Sequence, residues 1–522
     1  MREVLRKAWK QDRGAALAIV ATSLFLLMGV AAISADLAWY YLNASRVQRT
    51  ADAAALAGVV YLPGSPSDAN DAAIDIANRN GYDNTLLDVS VTPTPIGENQ
   101  LQVRVSDDVD TFFAKVLGWD TMTIARTAVA EYIPPLKLGS PENQFGNDCD
   151  PTQPGCTSPS NFWANIHGKW NQTSYGDAYA SWCDPGNGPN CSPSNLNPNR
   201  RNTGYLYGIE SDASFTVEFK DLAFHNISDT TDCPGNREIP PVPDLCTSDW
   251  VRTGDRGCED NSWAGGRSYD DDCGPTMYVA LYAPDSTPLE IADNLPPICS
   301  ATIPPRPQVP RADPYVWETP SGNPCWSQSG AGVFVLQVTQ VEPGSVNHRA
   351  GLNRYSVRST PGSNLFALGD FSIYNNFSGS TTSFYLAEVP TYYHGKTFVV
   401  ELYDAGESDD DGTLQVIDPR TDSVFDGGEC RLYERLNPND DDESWNHFAT
   451  IPAGSPCQEL VEPDEYQRRW LKFEMDLPAE YSCDAISVTG CWWKMNYAYT
   501  SPVNDTTTWR AYMIGNPIHI ID

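Results

Sequence analysis

The sequence predicts an N-terminal transmembrane helix and a small α+β unit, followed by mostly β, disulfide-pinned, sandwich-like modules. Three observations carry this reading. Residues Ala15 to Ala35 form an uncharged run, AALAIVATSLFLLMGVAAISA. All 14 cysteines lie between Cys149 and Cys491, beyond that run. From residue 88 onward, apolar side chains recur at alternate positions between frequent Pro and Gly, which is the strand period broken by turns.

The first element, residues 1–62, is a basic flank, the apolar helix and its extension. A helix of about 20 apolar residues spans a hydrocarbon core of about 30 Å. Arg2, Arg6, Lys7, Lys10 and Arg13 precede it. A basic flank stays cytoplasmic, so the expected topology is a single pass with the N-terminus cytoplasmic and residues 36–522 extracytoplasmic. The rival reading is a cleaved secretory signal, whose apolar region is about 7–15 residues long and ends at a small-residue cleavage site. This run is longer, and the alanine-rich stretch RVQRTADAAALAGVVYL (Arg46 to Leu62) continues the helical pattern after it.

Residues 63–135 form the small α+β unit. Asp68 to Asn80 reads as a helix stopped by Gly81. LDVSVTP and LQVRVSD alternate as strands, TFFAKVLGW reads as a short helix, and TMTIARTAVAEYI returns to strand before Pro134-Pro135. Residues 136–202 are Cys-, Pro- and Gly-rich loops, pinned because Phe162, Trp163, Trp170, Tyr175 and Trp182 favour burial. A β-sandwich module is expected over 203–302 and a Pro-rich linker over 303–325. A second β-sandwich module is expected over 326–430, then a Cys-containing β region over 431–522. VALYAPDSTPLEIAD and VVELYDAGESDDDGTLQVID echo each other, suggesting duplicated sandwiches.

An even cysteine count beyond the anchor fits disulfides in an oxidising compartment. Three close pairs could each close a short loop: Cys149 with Cys156, Cys183 with Cys191, and Cys483 with Cys491. Spacing alone leaves the connectivity open. There is no CxxC, which gives zinc ribbons and thioredoxin-type redox chemistry little support. The net charge of −34 argues against nucleic acid as a partner and against anionic lipid surfaces.

The N-terminal stretch carries an ordered pattern. Arg13-Gly14 precedes the apolar run and Asp36 follows it. Gln48 and then Ala51-Asp52-Ala53-Ala54-Ala55-Leu56-Ala57-Gly58 come next. This pattern resembles the N-terminal segment of TadG-like proteins, the TadE/TadG-like family of Flp/Tad pilus assembly. The strong match covers about the first tenth of the chain, and a weaker one continues to Glu131. The resemblance implies a membrane-anchored, non-enzymatic envelope protein whose partners are other pilus-assembly or envelope proteins. Type IV prepilins carry Glu five residues after the processing glycine; here that position is Ile19, which argues against cleavage at Gly14.

Residues that could carry chemistry are sparse. No GxSxG elbow, HExxH helix or GxxxxGK[ST] loop occurs, and the six histidines are scattered. Glu407, Asp409 and Asp411 alternate before Gly412, with Asp418 further on, as oxygen ligands for calcium would. As a twelve-residue loop it departs at both ends, where Asp and Glu are usual, and a solvated acidic hairpin tip accounts for it more simply. Asp212-Ala-Ser214-Phe-Thr216 mimics a DxSxT metal motif but lies among strands, and reads as a chance match. No cofactor is required. Three functions follow: an anchored envelope protein presenting β modules for protein interaction or adhesion, a surface glycan- or calcium-binding module, and an anchored hydrolase.

Overall fold

The computed structural model describes residues 2–62, 64–146, 161–167, 176–178, 204–220, 222, 249–250, 276–285, 295–304, 317–341, 352–361, 363–377, 381–406, 410–435, 445–463, 465–467, 469–483, 490–501 and 503–521. A long N-terminal apolar helix is followed mostly by antiparallel sheets, and the chain divides into two compact units. The first comprises 1–134 and 515–522, the second 135–514.

In the first unit, helix α1 (Arg2–Val59) runs without a break for 58 residues. Its apolar part is long and apolar enough to cross a membrane, and Leu17, Phe25, Leu27 and Ile33 lie exposed along it. From Asp36 onward the same helix changes character. Ala44, Val47, Ala51, Ala54, Ala55 and Val59 recur at helical spacing and are buried. They pack against helix α2 (Pro66–Arg79) and a sheet of β1 (Val89–Pro95), β2 (Gln100–Asp110) and β3 (Thr121–Tyr132). Ser65 caps α2, its hydroxyl accepting from the Asp68 amide at 3.3 Å, and Pro66 fills the first helical position, where no N–H is needed. On the sheet, Leu101, Val103 and Val105 of β2 point to the helices at period two. Each such side chain fully removed from water is worth about 1.5–3 kcal/mol.

Two features of this unit differ from the sequence reading. TFFAKVLGW holds only a four-residue 3-10 turn, Ala114–Leu117, because Gly118 at φ +90° ends it at once. The chain also returns at its end: Ile518–Ile520 pairs antiparallel with β3, so a strand from the expected C-terminal region completes the first unit's sheet.

The second unit holds two antiparallel sheets, of 11 and 12 strands among the described residues. They meet through aromatic side chains. The Phe384 ring of Thr381–Glu388 lies 4.7 Å from Trp509 of Val503–Ile514, and Phe398 lies 5.2 Å from Trp493. Tyr207 and Tyr355 join hydroxyls at 2.9 Å between the sheets. The strands expected from alternation are present, but they do not sort into two consecutive sandwiches. Gly332–Val341 pairs with both Tyr205–Ser211 and Thr276–Tyr282, across the 303–325 segment. Phe371–Phe377 lies between Asn161–His167 and Val503–Ile514. The alternation fixes which face of a strand is buried, and both segments supply strands with the same pattern, so pairing is decided by packing between distant residues.

Three disulfides are present among the described residues: Cys299–Cys325, Cys430–Cys457 and Cys483–Cys491. Of the three close pairs expected from spacing, Cys483 and Cys491 are joined as expected. The other four candidates, Cys149, Cys156, Cys183 and Cys191, all lie outside the described residues, as does most of the proline-rich linker. The bonds Cys299–Cys325 and Cys430–Cys457 close separations of 26 and 27 residues, and spacing did not single them out. Around the Cys430–Cys457 bond the backbone is held by non-local contacts: Cys430 lies opposite Ile451 and Met475 in its sheet, and the Cys457 amide donates to the Phe425 carbonyl at 2.7 Å.

Candidate functional site

The motif residues named from sequence gather on α1, and the structure gives most of them a mechanical task. Arg13 and Gly14 lie in the helical backbone just before the apolar run. Asp36, one residue after that run, is buried. Its carboxylate accepts from three successive backbone amides at the β2–β3 connection: Phe112 at 2.8 Å, Phe113 at 3.0 Å and Ala114 at 2.7 Å. An ionised acceptor at the start of a helical turn meets donors that the turn itself leaves unpaired. The connection is closed on its other side by Thr111, whose amide donates to the Asp120 carbonyl at 3.0 Å and whose hydroxyl donates to the Trp119 carbonyl at 2.6 Å. Trp39, nearly one turn after Asp36, sets its ring 5.4 Å from Phe112 in an edge-on contact.

Further along α1, Gln48 donates to Asp52 at 2.7 Å, a pairing of one turn on the helix surface. Ala51, Ala54 and Ala55 are fully buried, whereas Ala53 and Leu56 are half-buried, Leu56 packing against the same core. Gly58 completes the run. A Cβ there would press into the Ala69 carbonyl and the Leu101 side chain and come within 3.1 Å of the Ala73 Cβ. Small residues at 51, 54, 55 and 58 therefore set how closely α1 approaches α2 and β2.

The sequence places Asp36 and the alanines in a pattern but does not show what they hold. The partner amides of Asp36 lie 76 to 78 residues away, beyond any local signal. One signal is legible: Phe112, Phe113, Val116, Leu117 and Trp119 make an unusually apolar stretch for a tight connection, and all are exposed.

The acidic hairpin is less coherent as a site. Glu407 and Asp409 lie outside the described residues, and Asp411 is exposed. Asp418 is buried in a two-pronged pairing with Arg420, whose Nη2 lies 2.6 Å from Oδ2 and whose Nε lies 3.0 Å from Oδ1. Arg420 in turn stacks over the Tyr481 ring at 4.9 Å. No cluster of three His, Cys, Asp or Glu side chains suited to a metal occurs among the described residues. Asp212 and Ser214 belong to the tight turn between Tyr205–Ser211 and Ser214–Lys220, where the chain passes from one sheet to the other. Trp163, one of the aromatics expected to be buried, is buried beside Tyr374. Glu459 has its carboxyl pushed up to about 7, by burial and the nearby Glu465 carboxylate, against the opposing hydrogen bond from Tyr466.

No protein-family model matches the chain, and no curated protein matches it.

Proposed function

We propose that this is a non-enzymatic, single-pass envelope protein that resembles TadG-like pilus-assembly factors and presents disulfide-stabilised β modules to extracytoplasmic partners. One observation supports it most: α1 is continuous from an exposed apolar run into a buried alanine face. A helix apolar all round needs lipid or protein around it, and a one-sided helix needs a core. Here one helix meets both conditions in succession, as an anchor that also serves as a structural element of the attached unit does. The basic flank sets the cytoplasmic side. The three described disulfides suit an oxidising compartment on the other. Adhesion or protein contact, rather than catalysis, is the role such modules would take.

The test is fractionation of cells expressing the full chain, with intact-mass measurement of the membrane fraction and protease added from outside. Full-length, membrane-retained protein whose β modules are clipped externally is the expected result. Soluble protein trimmed near residue 35 would refute the anchor. A membrane-held product lacking the first 14 residues would replace this reading with pilin-type processing. Loss of surface pili on deleting the gene in its native cell is the further result expected of an assembly factor, and unchanged piliation would remove that part of the proposal.

A further inference from the structure

The first unit ends, on one side, in an apolar surface that its own core does not use. At the β2–β3 connection, Val116 is 84% exposed, Leu117 72% and Trp119 66%, with Phe112 and Phe113 each half exposed. Leu87 is fully exposed. It belongs to the same end of the sheet, because β1 and β2 are antiparallel: Val89 pairs with Asp107, and the Asp108 amide donates to the Asp88 carbonyl. The opposite end carries both chain connections, at Pro134 and Gly515, since Ile518 pairs with Tyr132.

The height of this surface along α1 is fixed. The Asp36 carboxylate binds the amides of residues 112–114, and Asp36 follows directly on the apolar run. The connection therefore sits where the run ends. Trp39, Tyr40 and Tyr41 lie on the helix at that same level, and Trp119 on the connection. Tryptophan and tyrosine concentrate at the membrane–water boundary, where an apolar ring with a polar edge is best solvated. Lys115, exposed in the middle of the turn, has a stem long enough to lie along apolar surface while its ammonium reaches water.

We propose that the 112–119 turn, with Leu87 beside it, is a second membrane contact that dips into the outer face of the bilayer next to the proposed transmembrane helix. The inference rests on the reading of Ala15–Ala35 as a membrane span. The occupant is a lipid surface because the apolar patch is continuous with the apolar helix. Asp88, Asp108, Asp110 and Asp120 are exposed around it. Those carboxylates disfavour a second copy, which would bring like charges together, and favour zwitterionic over anionic headgroups. Two contacts, helix and connection, would fix the tilt and rotation of the unit where a lone helix leaves both free.

The experiment uses the full chain in phosphatidylcholine vesicles with a photo-reactive benzoylphenylalanine at one position at a time: Phe25, Ile96 or Leu117. Mass spectrometry of the irradiated protein reads the adduct. A phospholipid mass added at 25 and 117 but not at 96, at the far end of the sheet, is the expected result. Lipid at 25 with none at 117 overturns the second contact and leaves the anchor standing. Dimers crosslinked through 117 overturn it in favour of a second copy. No lipid at 25 overturns the anchor itself, and with it the proposal. Val116 serves as a second probe site, being still more exposed, so that a failure of the 117 variant to fold does not decide the outcome.

Discussion

Replacing Gly58 with alanine adds one methyl group at a close approach between α1, α2 and β2. The new Cβ would overlap the Ala69 carbonyl oxygen and the Leu101 methyl, and sit 3.1 Å from the Ala73 Cβ. The leucine tip can turn away, but a backbone carbonyl cannot, so α2 must retreat by roughly 1 Å to restore contact distances. A gap of that size forfeits about a quarter to a half of the dispersion attraction for each facing atom pair. Ala69, Ala73 and Ala77, all fully buried on α2, would bear that loss. Overpacking of this kind costs about 1–3 kcal/mol. Against it stands the helix preference for Ala over Gly, at most about 1 kcal/mol and less here because α1 ends at Val59. The net expectation is a destabilisation of about 1–2 kcal/mol confined to the first unit.

Hydrogen exchange on the full chain in detergent micelles measures this directly. Amides of α2 and β1–β3 should exchange about tenfold faster, since 1.4 kcal/mol is one decade. Gly29→Ala is the control, because a Cβ there meets nothing within 4 Å. It should leave the unit unchanged. Equal or slower exchange in Gly58→Ala would refute the claim that a bare backbone is required for this packing.

Asp36→Ala removes a charged acceptor from three amides, and should cost about 2–3 kcal/mol; chymotrypsin should then cleave faster at Phe112 or Phe113. Replacing Cys430 and Cys457 together with alanine releases a link across 27 residues, worth about 3–4 kcal/mol by loop entropy, and should lower the thermal midpoint of the second unit. Glu459 binds a proton more tightly folded than unfolded, so its contribution to stability is full below its unfolded value near 4.5 and is lost as pH rises to about 7. The full shift would be worth about 3 kcal/mol. Water screens this half-buried group, so the loss relative to Glu459→Gln should be about 1 kcal/mol, read as the difference in urea midpoints at pH 5 and pH 8.

How much of this is legible in the sequence depends on how far each signal reaches. The apolar run, the second helix with its Gly81 stop and the alternating strands are written in neighbouring residues, and the elements they predict are present. The alanine face of α1 is visible as composition, and its spacing of three and four gives its direction. What decides the architecture is not local. Asp36 looks like a polar boundary marker until its amide partners are known, and they come from a connection two strands away. Gly332–Val341 has the same apolar pattern as Tyr205–Ser211, so nothing within either segment says that they are neighbours. The return of Ile518–Ile520 to the first sheet is carried by three residues with no distinguishing chemistry. At the acidic hairpin the spacing suggests a shared ligand, but Asp418 finds its charge partner two residues on, in Arg420.

For the proposed membrane span, the continuity of α1 has a consequence. Asp36 at one end and Gly58 at the other hold the second half of the helix against the sheet, so the rotational phase of the apolar run follows from the packing of the first unit. Inserting alanines between Ala35 and Asp36 separates phase from depth. One alanine turns the run by about 100° and moves it about 1.5 Å, while four turn it by a net angle of about 40° and move it about 6 Å. The packed face is untouched in both, so the first unit should keep its hydrogen-exchange protection. On the proposed role in pilus assembly, a helix that presents one face to a neighbouring helix should lose more surface pili on a single insertion than on four. If depth alone matters, the order reverses, because four residues displace the run further. Equal piliation in both variants would refute a fixed helical face, and the apolar run would then act only as a tether.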